Sequence, residues 1–260
     1  MIEPAPALVT VHLWGVPDRR VPQAALRMAL DRRSLRVTPG LQFAKLVGTG
    51  DGRTFRARDA DRNHWGLVSA WANAGDASAF ETGTVARAWT RIATERLRVD
   101  LRPLASRGTW SGREPFGAPT APTGSVGRAA STPPAGPART RASDGPATPP
   151  AYDGPVAAIT RARIRPRHWR RFWHAVPSVT ADLHQGDGLR LAVGIGEAPI
   201  GLQGTFSLWD SAAALEAFAY RRAAHAEVIR RTREIGWYAE EMFARFAILD
   251  IDGTFAGRTP

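Results

Sequence analysis

The side chains of this 260-residue chain best suited to ligate a metal, or to move a proton near neutral pH, are its six histidines: His12, His64, His168, His174, His184 and His225. His225 stands apart. It lies in SAAALEAFAYRRAAHAEVIRRTRE, which reads as one helix, and at helical spacing Phe218 and Ile229 share its face. An imidazole on the apolar face of a helix beside a pocket suits an axial ligand of haem iron, which makes His225 the candidate metal ligand. A core histidine bonded to a carbonyl is the other reading. Arg222, Arg230 and Arg233 lie within a few turns of His225 and could take haem propionates in bidentate bonds, or stand solvated. His64 opens the segment HWGLVSAWA after a polar loop, where it is either a distal donor at a pocket mouth, and so catalytic, or a structural loop-edge histidine.

Other chemistries lack their usual residues. The chain has no cysteine, which removes disulfides, thiolate metal sites, iron–sulfur clusters and thiol nucleophiles together. GTGDG at 48–52 is followed by RTFRARDADRNHW, not by a helix whose N-terminus could hold a pyrophosphate. HExxH, GxSxG and GK[ST] sequences are absent. Tryptophan is frequent, with nine copies; Trp71 and Trp209, together with Phe218 and Lys45, are candidates to line an apolar substrate pocket, packing of a barrel being the plainer role for the tryptophans.

The elements that must position these residues come twice. LVTVHLWGV reads as a strand, PQAALRMALDRRSL as a helix, FAKLVGTG and HWGLVSAWA as strands, DASAFETGTVARAWTRIATE as one helix and LRVDLRPL as a strand. VAAITRARI, RHWRRFWHAVPSVTADLH, LRLAVGIG, TFSLWD, the helix opened by SAAALEAF, and FARFAILDI repeat that order. The letters repeat too. GTG at 48–50 answers GIG at 194–196, Trp71 and Phe80 answer Trp209 and Phe218 at an offset of 138, and GTWSGREP at 108–115 answers GTFAGRTP at 253–260 at an offset of 145. The second copy therefore carries seven extra residues after Phe218, close to two helical turns, and His225 falls within that excess.

The predicted class is α+β, with two tandem ferredoxin-like β-α-β-β-α-β units forming a fused dimeric α/β barrel. The first unit spans 1–115 and the second 155–260. Between them, 116–154 is a Pro/Ala/Gly-rich segment too poor in large apolar residues to offset its ordering entropy, and is expected to be disordered. Two sheets facing one another would enclose an apolar pocket lined by their inward residues.

The formal charge is +11, but Lys45 is the only lysine among 35 basic residues, a skew that fits coding bias better than a nucleic-acid interface. Nucleic acid is not expected as a partner. The cluster Arg161, Arg163, Arg165, Arg167, Arg170 and Arg171 is expected to be a solvated surface, with attraction to anionic headgroups as its functional alternative. Neither a transmembrane run nor a signal peptide is visible, so the expected location is the cytoplasm, with peripheral contact at the inner membrane surface as an addition.

LQFAKLVGTG, NHWGLVSAW, GTWSGREPF, VAAITRARI, GIGEAP, TFSLW, HAEVIRRTREIGWYAEEMFARF and DGTFAGRTP resemble, in order and spacing, the spheroidene monooxygenase family, carotenoid 2-ketolases of purple phototrophic bacteria. The resemblance covers nearly the whole chain outside the linker. It implies a monooxygenase that uses dioxygen and a haem to convert C2 of an acyclic carotenoid to a ketone, supplied with electrons by an external donor such as a reductase or ferredoxin. It places the axial role on His225, and it matches Lys45, Gly48, Gly50, His64 and Trp71 to family positions without assigning them roles. The chain departs from the family in its long linker and its arginine-biased surface. A non-catalytic haem or apolar-ligand binder, and a cofactor-free monooxygenase on the same barrel, are the competing readings.

Overall fold

LVTVHLWG carries apolar residues on both of its faces, the pattern of a strand covered on two sides, and it forms β1 (Leu8–Gly15), buried along its whole length. The protein is described by a computed structural model covering residues 5–50, 60–117, 152–165, 186–197, 202–221 and 238–260. Within these, α1 (Val21–Arg36), β2 (Leu41–Gly50), β3 (Ala60–Trp71), α2 (Ala74–Glu81), α3 (Thr84–Ile92) and β4 (Glu95–Gly108) make the first half. β5 (Val156–Ile164), β6 (Leu189–Glu197), β7 (Leu202–Trp209), α4 (Ala212–Arg221) and β8 (Tyr238–Gly253) make the second.

All eight strands pair antiparallel and close into a barrel in the order β1-β3-β2-β6-β7-β5-β8-β4. Each half contributes four neighbouring strands in the same internal order. The halves meet along two seams, a short one at Gly48–Gly50 against Gly194–Gly196 and a long one where β4 runs beside β8 from Leu97↔Gly253 to Gly108↔Met242.

Pairing fixes which residues correspond. Leu8 faces Trp71 as Val156 faces Trp209, and Gly15 faces Glu95 as Arg163 faces Glu240. Glu95 and Glu240 are therefore equivalent, at the same offset as the two octapeptides. In the β2 strands the register makes Gly48 the counterpart of Gly196, two residues on from the match suggested by GTG and GIG.

Inward side chains of both halves form one core: Val9, Val11, Leu13, Phe43, Val47, Phe206 and Phe246, with Trp110 and Phe116 from the turn after β4. Among the described residues these side chains occupy the barrel interior, as expected where eight strands leave a space only about as wide as the side chains that point into it. Phe116, read in the sequence as the first linker residue, is buried there.

One predicted helix is two. DASAFETGTVARAWTRIATE breaks after Glu81: the Thr82 and Gly83 amides close the last turn of α2 on Ala79 and Phe80, and Gly83, in extended conformation, caps α3. The segment expected as a helix over RHWRRFWHAVPSVTADLH lies outside the described residues, as does most of the predicted linker.

Candidate functional site

The two halves share a barrel but not the surface beneath their helices. In the first half the outward residues of β1 and β3 include four large ones: His12, Trp14, Leu67 and Trp71 pack with Trp89 of α3 and Phe80 of α2. His12 stacks on Trp14 at 5.2 Å, Trp14 stacks on Trp89 at 5.0 Å, and His12 Nε2 meets Glu81 Oε1 at 2.7 Å. The His12 ring is 1% exposed, so the face is sealed.

The register puts different residues at the same positions of the second half. His12 corresponds to Thr160, Trp14 to Ala162, Leu67 to Thr205 and Leu46 to Gly194. Each exchange is large to small. What remains apolar lies to one side, where Trp209 is buried with Val156 and stacks on Phe218 of α4 at 5.3 Å. Thr160 and Thr205 share a hydrogen bond of 2.8 Å, in which one hydroxyl donates and the other keeps its own proton available. A sheet face stripped of two rings and two leucyl side chains can bed a flat, bulky group under a helix, which the first half's face cannot.

The predicted site residues fall as follows. His225, Arg222, Arg230 and Arg233 lie outside the described residues, just beyond α4 in the chain, the helix that packs on Trp209 to one side of the small-residue face. Trp71 sits beneath the first half's helices and donates to Thr10 Oγ1 at 2.9 Å. Trp209 sits at its equivalent in the second half with Phe218, so the structure joins Trp209 to Phe218 and keeps Trp71 apart from both.

Lys45 points into the barrel end, 2.7 Å from Ser111 Oγ and 3.1 Å from Glu197. Glu197 also accepts from Trp110 Nε1 at 2.6 Å and from Arg161, which in turn pairs tightly with Glu240. Burial pushes the Glu240 carboxyl up, but the Gly112 amide, the Arg161 guanidinium and the Ser111 amide outweigh it and hold the group at about 2. Every charge in this cluster meets its opposite, so it closes the barrel end.

His64 lies between two carboxylates, Nδ1 at 2.6 Å from Asp61 and Nε2 at 3.1 Å from Glu95, with Phe255 against the ring. The hydrogen bond to Asp61 above all raises its pKa, with Glu95 adding to it against the opposing effect of burial. Both ring nitrogens are engaged.

Arg161 corrects the surface reading of the basic cluster. It is 4% exposed, while Arg163 is exposed and Arg165 donates to the Tyr238 carbonyl; Arg167, Arg170 and Arg171 lie outside the described residues. The missed signal was parity, since Arg161 shares its strand face with Ala157 and Ile159. Among the described residues no group of three or more His, Asp or Glu side chains could hold a metal ion.

No protein-family model matches the chain. It is 33% identical over 241 residues to spheroidene monooxygenase of Rhodobacter capsulatus, covering 92% of this chain and 89% of that protein. It is 36% identical over 221 residues to spheroidene monooxygenase of Rubrivivax gelatinosus, covering 85% and 73%. Among solved structures, the chain superposes on an aldoxime dehydratase crystallised with butyraldoxime at a TM-score of 0.56 and 12% identity, covering 94% and 79% of the two chains. A second aldoxime dehydratase structure gives 0.55 and 10%, covering 96% and 84%. At such identities these two likenesses speak to the fold alone.

Proposed function

The chain belongs to the spheroidene monooxygenase family, and from that premise we propose that it is a carotenoid monooxygenase that converts C2 of an acyclic carotenoid to a ketone, using dioxygen and a haem held against the second half. What supports the haem reading is the large-to-small exchange at Thr160, Ala162, Thr205 and Gly194, on the sheet face beside α4, after which His225 follows in the chain. A planar macrocycle fits a bed of small side chains flanked by the Trp209–Phe218 stack. In the same reading, residues 1–115 and 155–260 are tandem ferredoxin-like units joined by 116–154, and the fused dimeric α/β barrel they form offers one such bed per chain. We place its action in the cytoplasm, on a long apolar substrate, with a reductase or ferredoxin as donor.

His225 would hold the iron, and Arg222, Arg230 and Arg233 would neutralise the propionates. Bound haem supplies an iron that, once reduced by the external donor, activates dioxygen. Each hydroxylation at C2 puts one oxygen atom into a C–H bond, while the other leaves as water with two electrons and two protons. After the second, the geminal diol loses water to the ketone. The chain contributes position: apolar walls orient the polyene end and exclude water, and the uncommitted hydroxyl proton of the Thr160–Thr205 pair is available to a polar atom over the sheet.

The test is the visible spectrum of the purified protein beside its His225→Ala variant, followed by turnover with an acyclic carotenoid, oxygen and a reductant. A Soret band that is lost or shifted in the variant, with a C2 ketone formed only by the wild type, is the expected result. A band identical in both proteins removes His225 from the iron. A haem protein without turnover is a binder, and turnover without a band belongs to a cofactor-free oxygenase.

A further inference from the structure

A helix lying on a sheet normally buries one face and turns a polar one to water. α1 does the first with Ala24, Met28, Asp31 and Leu35. It does not do the second. Opposite that buried stripe, Leu26 is 58% exposed and Leu30 57%, and Val37, which caps the helix, is 81% exposed; exposed Ala29 lies between the two leucines. The spacing of 26, 30 and 37 lines them up along one side of the helix. Scattered exposed leucines need no explanation, but these form a single ridge.

The ridge is set in positive charge. Arg33 stands within it, Arg32 and Arg36 flank it, and the neighbouring α3 exposes Arg87 and Arg91. None of these five guanidiniums has a carboxylate partner among the described residues. The single acid of α1, Asp31, is buried and paired with Arg27, and α3 has none. An apolar ridge in an uncompensated cationic field matches a surface that is anionic outside and hydrocarbon just beneath.

We propose that the outward face of α1, with Leu26, Leu30 and Val37 as inserting side chains and Arg33, Arg36, Arg87 and Arg91 as headgroup contacts, docks the protein on an anionic lipid bilayer. The inference does not depend on the substrate, because it rests on the surface alone. It also moves the membrane contact from the β5 arginines, one of which is committed to the barrel interior, to the helical layer of the first half.

Flotation of the full chain with vesicles of phosphatidylglycerol and phosphatidylcholine in equal parts tests it directly. The wild type should float, and should float less as salt screens the arginines. Leu26→Ser/Leu30→Ser should partition roughly tenfold less, and Arg33→Glu/Arg36→Glu should lose the preference for anionic over pure phosphatidylcholine vesicles. All four positions are exposed, so the variants should keep the wild-type melting temperature. Wild type remaining in the soluble fraction, or the serine variant floating equally well, overturns the proposal. So does self-association abolished by the serine pair without any flotation, which would make the ridge a contact between copies. None of these outcomes bears on haem binding or carotenoid turnover.

Discussion

His64 shows how much a single ring can be asked to hold. With Asp61 on one nitrogen and Glu95 on the other, the imidazolium ties the start of β3 to the start of β4, and Glu95 in turn accepts from the Thr254 hydroxyl and from the Ala256 and Gly257 amides. The raised pKa of His64 means that its stabilisation is complete below the ordinary value of 6.5 and fades as the pH climbs through the higher folded value. Asp61, lowered chiefly by His64, contributes above its ordinary 3.8 and loses that contribution on acidification. Glu95 behaves likewise about 4.5, since the Gly257 amide, His64 and Thr254 outweigh the upward push of its burial. The stability lost in His64→Gln, about 1–3 kcal/mol, should therefore be greatest between about pH 5 and 6.5 and shrink on either side. Thermal melts of the two proteins across pH would show it, and a gap that grows steadily above neutrality would contradict it.

At the level of elements, the two octapeptides are one turn used twice. Gly108 and Gly253 have φ of 83° and 97°, Ser111 and Ala256 follow at 57° and 51°, and Gly112 and Gly257 at 72° in both. A bridge closes each turn, Trp110 to Arg113 and Phe255 to Arg258. A Cβ on Gly253 would run into the Arg96 carbonyl oxygen, so Gly253→Ala should destabilise by at least about 1–3 kcal/mol. Ala256 occupies the same left-handed region with open geometry for glycine, and Ala256→Gly should be neutral or gain up to about 1 kcal/mol. Denaturant midpoints decide both. These turns, and the strands before them, were legible in the sequence because alternation and glycine spacing are local signals. The break at Thr82–Gly83 was not, since VARAW continues the helical pattern across it. Nor was the burial of Arg161 anticipated, because a run of arginines reads as surface until the parity of the strand is applied. The candidate bed was invisible for a stronger reason: Thr160, Ala162, Thr205 and Gly194 are unremarkable residues that acquire meaning only when pairing sets them against His12, Trp14, Leu67 and Leu46.

For the whole molecule, the proposed bed rests on one contrast: His12, Trp14, Leu67 and Leu46 in the first half, and Thr160, Ala162, Thr205 and Gly194 at the same register positions in the second. Refilling is the corresponding test. Ala162→Trp restores the residue of the first half at its own register position, and should cut uptake of haem, read as the Soret band after reconstitution, by roughly a hundredfold or more while leaving the melting temperature within a few degrees. Normal uptake would place the bound group elsewhere.

The seam between β4 and β8 carries one more consequence, in time. β4 has β1 on one side, but its other edge is paired only by a strand that ends at Gly253. A ribosome adding about 5–20 residues per second leaves that edge, fourteen residues long, without its partner for roughly seven to thirty seconds. Arg96, Arg98, Asp100 and Arg102 alternate along it, and charges so placed discourage two nascent chains from pairing edge to edge before the second half arrives.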